Sequence, residues 1–296
     1  MLDTGEEKLK GRLINTLNPK WKKNGASVLL IAVLLFGILG TQAGCTIVNA
    51  GPSATEKSTS DLGKGITLDE AVKSAFLKEN QGHYLSGECI GEGHIIIGHD
   101  EKSDITTVYA LTMYGEYGFE DGNFVKVSGS GVIPAVFTFT NAKDGLVCTK
   151  IAYPEDGERY AKSIKKLFPL TYRHRALSPS DSDRQDLTSL ERAYAASYLK
   201  KIGRDAVIGD YGDFNHTLLT DVGVSVEVSN ITCGKQYANY PMWIGNREAL
   251  ENGTRYVYEM SYNKDAHEID FKKYEYNTKK IVELIRLDSI TGLPVK

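Results

Sequence analysis

Hydrophobic and polar positions fall into three regimes along the 296-residue chain. Residues 24–55 hold no charged side chain, and within them 26–40 (ASVLLIAVLLFGILG) is an almost unbroken apolar run. As a helix that run rises only about 22 Å, short of the roughly 30 Å hydrocarbon core of a bilayer. Continuation through Thr41, Gln42, Ala43, Gly44, Cys45, Thr46, Ile47 and Val48 supplies the missing length. A transmembrane helix over 25–48 is therefore expected, because a buried helix this apolar would need protein on every face. Residues 49–65 (NAGPSATEKSTSDLGKG) are small and polar without apolar periodicity, and read as a flexible tether.

From residue 66 to 296 the pattern is that of a folded domain. Thr67 and Glu70 form a capping box ahead of Leu68, Ala71, Val72, Ala75 and Phe76, so a helix ending near Gly82 opens it. The period then shortens to two. Runs at 94–98, 106–115, 123–129, 132–140 and 146–153 are β-branched and aromatic, with Gly, Asn and Asp between them, as in an antiparallel meander. Pro134 places its strand at an edge, or starts it later. Helices are expected at 161–167 and 183–201, the second packing Leu187, Leu190, Ala193, Tyr194 and Tyr198. Val222, Val224, Val226 and Val228 predict a strand over 220–229, and 254–262, 268–276 and 280–288 a closing meander. The class is α+β, a single N-terminal transmembrane helix followed by an extracytoplasmic domain of antiparallel β-meanders with helices.

Charge adds an orientation. The formal net charge of −3 gives no reason to expect a nucleic-acid partner. Residues 1–24 are nonetheless basic, and Lys20, Lys22 and Lys23 precede the apolar run, which favours a cytoplasmic juxtamembrane segment and an extracellular C-terminal domain in the cell membrane. Residues 6–18 fit a short amphipathic helix on the inner membrane surface, with Leu9, Leu13, Ile14 and Leu17 on one face. Cys45, after Ala43 and Gly44, offers an alternative: lipidation of the first residue of a processed, surface-tethered binding protein. Cys89, Cys148 and Cys233 allow at most one disulfide in the domain.

Catalytic signals are sparse. No HExxH occurs, so zinc-protease geometry is missing. His94 and His99 lie near Glu88, Glu92 and Asp100, but the glycines between them also read as hairpin punctuation, and neither a metal nor a cofactor is expected. Ser163 and Lys166 make a formal SxxK and Tyr237 and Asn239 a formal YxN, without the Lys-Thr-Gly strand of a serine acyl enzyme. Lys162, Lys165 and Lys166 then form a solvated helix face. Residues 114–131 and 175–183 combine turn formers with aromatic and acidic groups, either to shape tight connections or to line a binding surface. Ser182 or Asp181 is expected to cap the following helix. The candidate recognition positions are Tyr114, Glu116, Tyr117, Asp181, Tyr240 and Trp243, with core packing the preferred reading for the last two.

The segments EEKLKGRLINTLNPKWKK before the apolar run, then ITLDEAVKSAF, SGEC, EGHIIIG, YGEYGF, SGSGVIP, ALSPSDSD, HTLLTDVGVSVEVSN, YPMWIG and GTRYVYEMSYNKDAHEIDF, resemble the C-terminal portion of the BlaR1/MecR1-like M56 peptidase family of Gram-positive bacteria. The resemblance implies a sensor-transducer in which a multispanning zinc protease precedes a last membrane helix and an outside domain. Because the HExxH helix is missing here, no protease role carries over. Ser163 and Lys166 do not match the penicillin-binding serine site of the β-lactam-sensing members. What remains implied is a non-catalytic sensory or interaction domain in signal transduction, with an extracellular ligand and a membrane protease half or another membrane signalling protein as partner.

Overall fold

The computed structural model describes residues 67–142 and 145–295. The span at 25–48, the juxtamembrane segment, the tether, the 6–18 helix and Cys45 lie outside them. Among the described residues no helix is long and apolar enough to cross a membrane.

Helix α1 (Leu68–Asn80) begins where the capping box places it: Thr67 Oγ1 accepts from the Glu70 N–H, and the Glu70 carboxylate accepts from the Thr67 N–H. Then come β1 (Cys89–Lys102), β2 (Ile105–Glu120), β3 (Asn123–Gly129), β4 (Ile133–Ala142) and β5 (Gly145–Ala152). Three helices follow, α2 (Tyr160–Leu167), α3 (Leu170–Leu177) and α4 (Asp181–Ile202). Short β6 (Ile208–Asp210) and helix α5 (Val226–Thr232) lead into β7 (Gly245–Glu251), β8 (Thr254–Asn263), β9 (Glu268–Glu275) and β10 (Ile281–Asp288). All ten strands join one sheet, antiparallel except for the β3–β6 pair.

β2 organises the sheet. One edge carries β1; the other carries β4 along its first half and β3 along its second. Helices cover both faces, so β2 is buried along most of its length rather than at alternate positions. Val108, Ala110 and Tyr114 meet Val72 and Phe76 of α1, whereas Tyr109, Leu111 and Met113 point to the side of α2, α3 and α4. β4 is not an edge strand, since β5 pairs with it. Its ladder to β5 stops at Val136, so Pro134 pairs only with Leu111 of β2 and breaks no bond on the other side.

Three expectations are corrected. Residues 220–229 are not a strand: a 3-10 turn (Leu219–Val222) precedes α5, and Ser225 caps α5 by accepting from the Val228 N–H. Val224 and Val228, four apart, are buried in the core, Val222 packs partly buried against it, and the period of two does not make a strand. Along α4 the buried stripe is Asp183, Leu187, Glu191, Ala195 and Leu199, and Leu190 is exposed. The glycines of β1 are not turns: a Cβ on Gly93 would lie 2.5 Å from the Leu187 carbonyl oxygen, and one on Gly91 2.7 Å from that of Glu191. They form the groove that seats α4. Beyond β10, the chain turns back so that Pro294 bridges Leu287 and the Val295 N–H donates to the Arg286 carbonyl (2.9 Å), covering the outer edge of the last strand at Arg286–Asp288.

Candidate functional site

The C-terminal meander β7–β10 joins the rest of the sheet through a single residue pair, Glu120 with Arg247. Asp121 and Gly122 both have positive φ (46° and 78°) and make the two-residue turn from β2 to β3. That turn aims the Asp121 carboxylate at the incoming chain, where it accepts from Trp243 Nε1 (2.9 Å) and from the Asn246 N–H (2.7 Å).

Side chains tie the rest of the joint. Arg255 of β8, 13% exposed, donates to both oxygens of Glu88 just before β1 (2.5 and 2.8 Å) and to Glu248 of β7 (2.8 Å). Arg204, just past α4, makes a two-pronged bond to the same Glu248 (2.5 and 2.9 Å) and lies 3.5 Å from the centre of the Phe119 ring. Tyr198 donates to Glu88 at 3.0 Å. Burial opposes the Arg255 charge, but the Glu88 and Glu248 carboxylates outweigh it and hold its pKa above the usual guanidinium value. Two arginines and two carboxylates thus neutralise one another where three parts of the fold meet.

Glu120, next in β2 to the Phe119 over which both arginines lie, takes the opposite face of the sheet and is only 6% exposed. Burial pushes its pKa up to about 7, against the pull of Arg247 and with a smaller push from Asp121. Its Oε2 has no hydrogen-bond partner among the described residues, and His216 Nε2 stands 3.6 Å away, too far for a bond. Burial lowers the His216 pKa. The imidazole stacks on Tyr211 (3.8 Å between centroids) and meets Trp243 edge-on (4.6 Å). Loss of the Glu120 proton leaves a buried charge.

Further carboxylates are buried and partnered. Glu191 of α4 accepts from Tyr117 (2.8 Å) and Lys126 (2.8 Å); burial raises its pKa and Lys126 opposes. Glu116 accepts from Tyr114 (2.7 Å) and the Gly87 N–H (3.0 Å). His94 is held between Glu92 and Asp69, each at 3.0 Å, which links β1 to α1.

The six candidate recognition positions do not share a surface. Tyr114, Glu116, Tyr117, Tyr240 and Trp243 are buried, and strand alternation sends Tyr114 and Glu116 to the face opposite Tyr117. Tyr240 packs on Tyr258 and Phe271 and donates to Glu283. Asp181 is exposed in the first turn of α4, and the cap is Ser180 rather than Asp181 or Ser182. Ser163 is buried, its hydroxyl donating to the Tyr160 carbonyl and accepting from the Glu155 N–H, while Lys166 faces solvent. Tyr237 stacks on Phe271. The three cysteines of the domain are free thiols, and no group among the described residues is arranged to hold a metal ion. Of the joint, Glu88 and Trp243 stand out in the sequence for other reasons, and Glu120 and Asp121 fall within the 114–131 stretch read as a tight connection or a binding surface; the arginines and Glu248 do not stand out. The available signal was Asn252–Gly253, both at positive φ (50° and 82°), a two-residue hairpin turn that reveals β7 and sets Glu248 diagonal to Arg255. Comparison with known protein families, with curated proteins and with solved structures returns no match to this chain.

Proposed function

We propose that this protein is a membrane-anchored, non-catalytic sensory or interaction domain, held outside the cell by the 25–48 helix and related in design to the C-terminal part of M56-type sensor-transducers. The observation that carries the reading is the joint: a sheet continuous by one residue pair, closed by arginine–carboxylate bonds, with a buried carboxyl group, Glu120, at the pairing residue itself. A partner that binds one arrangement of the joint better than another shifts the equilibrium between them. The Asp69–His94–Glu92 contact ties the same sheet to α1, the helix nearest the anchor in sequence.

Epitope tags at either end of the full chain test the anchoring. In intact protoplasts antibody should reach the C-terminal tag and require permeabilisation to reach the N-terminal one; the reverse overturns the reading. The mass of the membrane-extracted chain separates the lipid-anchored alternative, which requires a mature species beginning at Cys45. Crosslinking in the native membrane, with and without Arg255→Ala, tests the sensory part. A partner captured equally by both forms leaves the joint without a role.

A further inference from the structure

We propose that α2 and α3 form a docking surface for the anionic face of a lipid bilayer. Residues 159–180 contain no acidic side chain, although the chain as a whole is net negative. Lys162, Lys165 and Lys166 fall at i, i+3 and i+4 of α2, so they share one face, and all three are exposed. None of them pairs with a carboxylate among the described residues, whereas Arg159 and Arg175 nearby are bound to Glu155 and Asp183. The opposite face of α2 buries Ile164 against Phe168 and Tyr109, which fixes the lysines outward.

Pro169 starts α3, and Leu170 follows it at the corner between the helices, 79% exposed. His174 and Leu177, the latter 44% exposed, continue the same face at i+4 and i+7, while Ala176 is buried. An uncovered leucine four residues past Lys166, a second farther along α3 and three unpaired lysines match an interface where headgroups are anionic and hydrocarbon lies just beneath. A polyphosphate strand would satisfy the lysines and leave Leu170 in water, so the apolar corner decides for the bilayer. The geometry rests on the anchoring proposed above, which keeps the domain near a membrane; the surface itself is independent of it.

The test uses the full chain mixed with vesicles of phosphatidylcholine alone or of an equimolar mixture with phosphatidylglycerol, read by flotation and by hydrogen exchange of amides 160–178. Exchange there should slow in the anionic vesicles only, and β8 and β9 should not change. The triple variant Lys162→Glu, Lys165→Glu, Lys166→Glu should lose that protection, and Leu170→Ser should weaken it. Three lysines near an anionic surface correspond to a change in apparent affinity on the order of a hundredfold. A chain that floats with both vesicle types while exchange at 160–178 stays the same in both overturns the inference and leaves the anchor intact. Flotation with anionic vesicles alone, with protection at 160–178, supports the surface and removes the anchor.

Discussion

Glu120 is buried without a hydrogen-bond partner for one of its oxygens, and its proton affinity reflects that. Its folded-state pKa is raised from 4.5 to about 7, so the folded protein binds this proton more tightly than the unfolded chain. The stabilisation is full below the unfolded value and is lost as pH rises toward the folded one, by about 3 kcal/mol in all. Glu120→Gln removes the ionisation and keeps the shape. Denaturant titrations should therefore show the variant gaining on the parent between pH 5 and pH 8, and a gap that stays constant over that range would place the orphaned charge elsewhere. His94 has the opposite dependence on charge. Burial opposes its protonation, but Glu92 and then Asp69 outweigh it and raise its pKa, so its contribution is full below the ordinary imidazole range and fades as pH climbs through the raised value. Asp69 is 75% exposed and screened by solvent, so most of the effect rests on Glu92. Amide exchange in α1, corrected for intrinsic rate, should accelerate with rising pH in the parent and stay level in His94→Gln.

The helix α4 shows how an element is positioned by what a neighbour lacks. Gly91 and Gly93 leave no Cβ between β1 and the α4 backbone, so Gly93→Ala should push the helix outward at a cost of about 1–3 kcal/mol, read as a fall in Tm. Gly131→Ala, with open space around it, should leave Tm unchanged. These glycines also show what the one-dimensional pattern conveys. α1 was legible because its capping box and its apolar spacing agree, and the hairpins because each strand alternates between turn formers. The 220–229 segment misled because valines spaced by two satisfy a strand while every second one satisfies a helix, and the Ser225 cap decides between them. The α4 stripe misled because Asp183 and Glu191 are charged yet buried, and their partners Arg175 and Lys126 are remote from the apolar pattern. Tyr114, Glu116 and Tyr117 looked like one surface in sequence, but β2 is covered by helices on both faces, which no local pattern reveals.

Across the whole molecule, the joint between β2 and β7 is the narrowest continuous section of the sheet. Arg255→Ala would leave Glu88 without its two charged bonds and Glu248 with Arg204 alone, a loss of about 3–5 kcal/mol for a buried pair broken on one side. Arg255→Lys should recover little, because a single ammonium cannot reproduce bonds to two carboxylates. With the parent unfolding in one step, the alanine variant should show separate transitions for the Trp243 environment and for total secondary structure; coincident curves would show that the contacts left at the joint, Glu120 with Arg247, Asp121 with Trp243 and Asn246, and Arg204 with Glu248, suffice to couple the halves.

The turned-back end of the chain has a consequence for storage and handling. Ile281, Val282 and Leu284 are exposed on the last strand, and the segment through Pro294 and Val295 occupies the edge farther along it, at Arg286–Asp288. Proline there gives a second chain no N–H to continue the ladder. A protease that trims the molecule after Ile290 would strip that guard, and the shortened species should scatter light increasingly as its concentration rises, each copy offering its bare edge as a seed for the next.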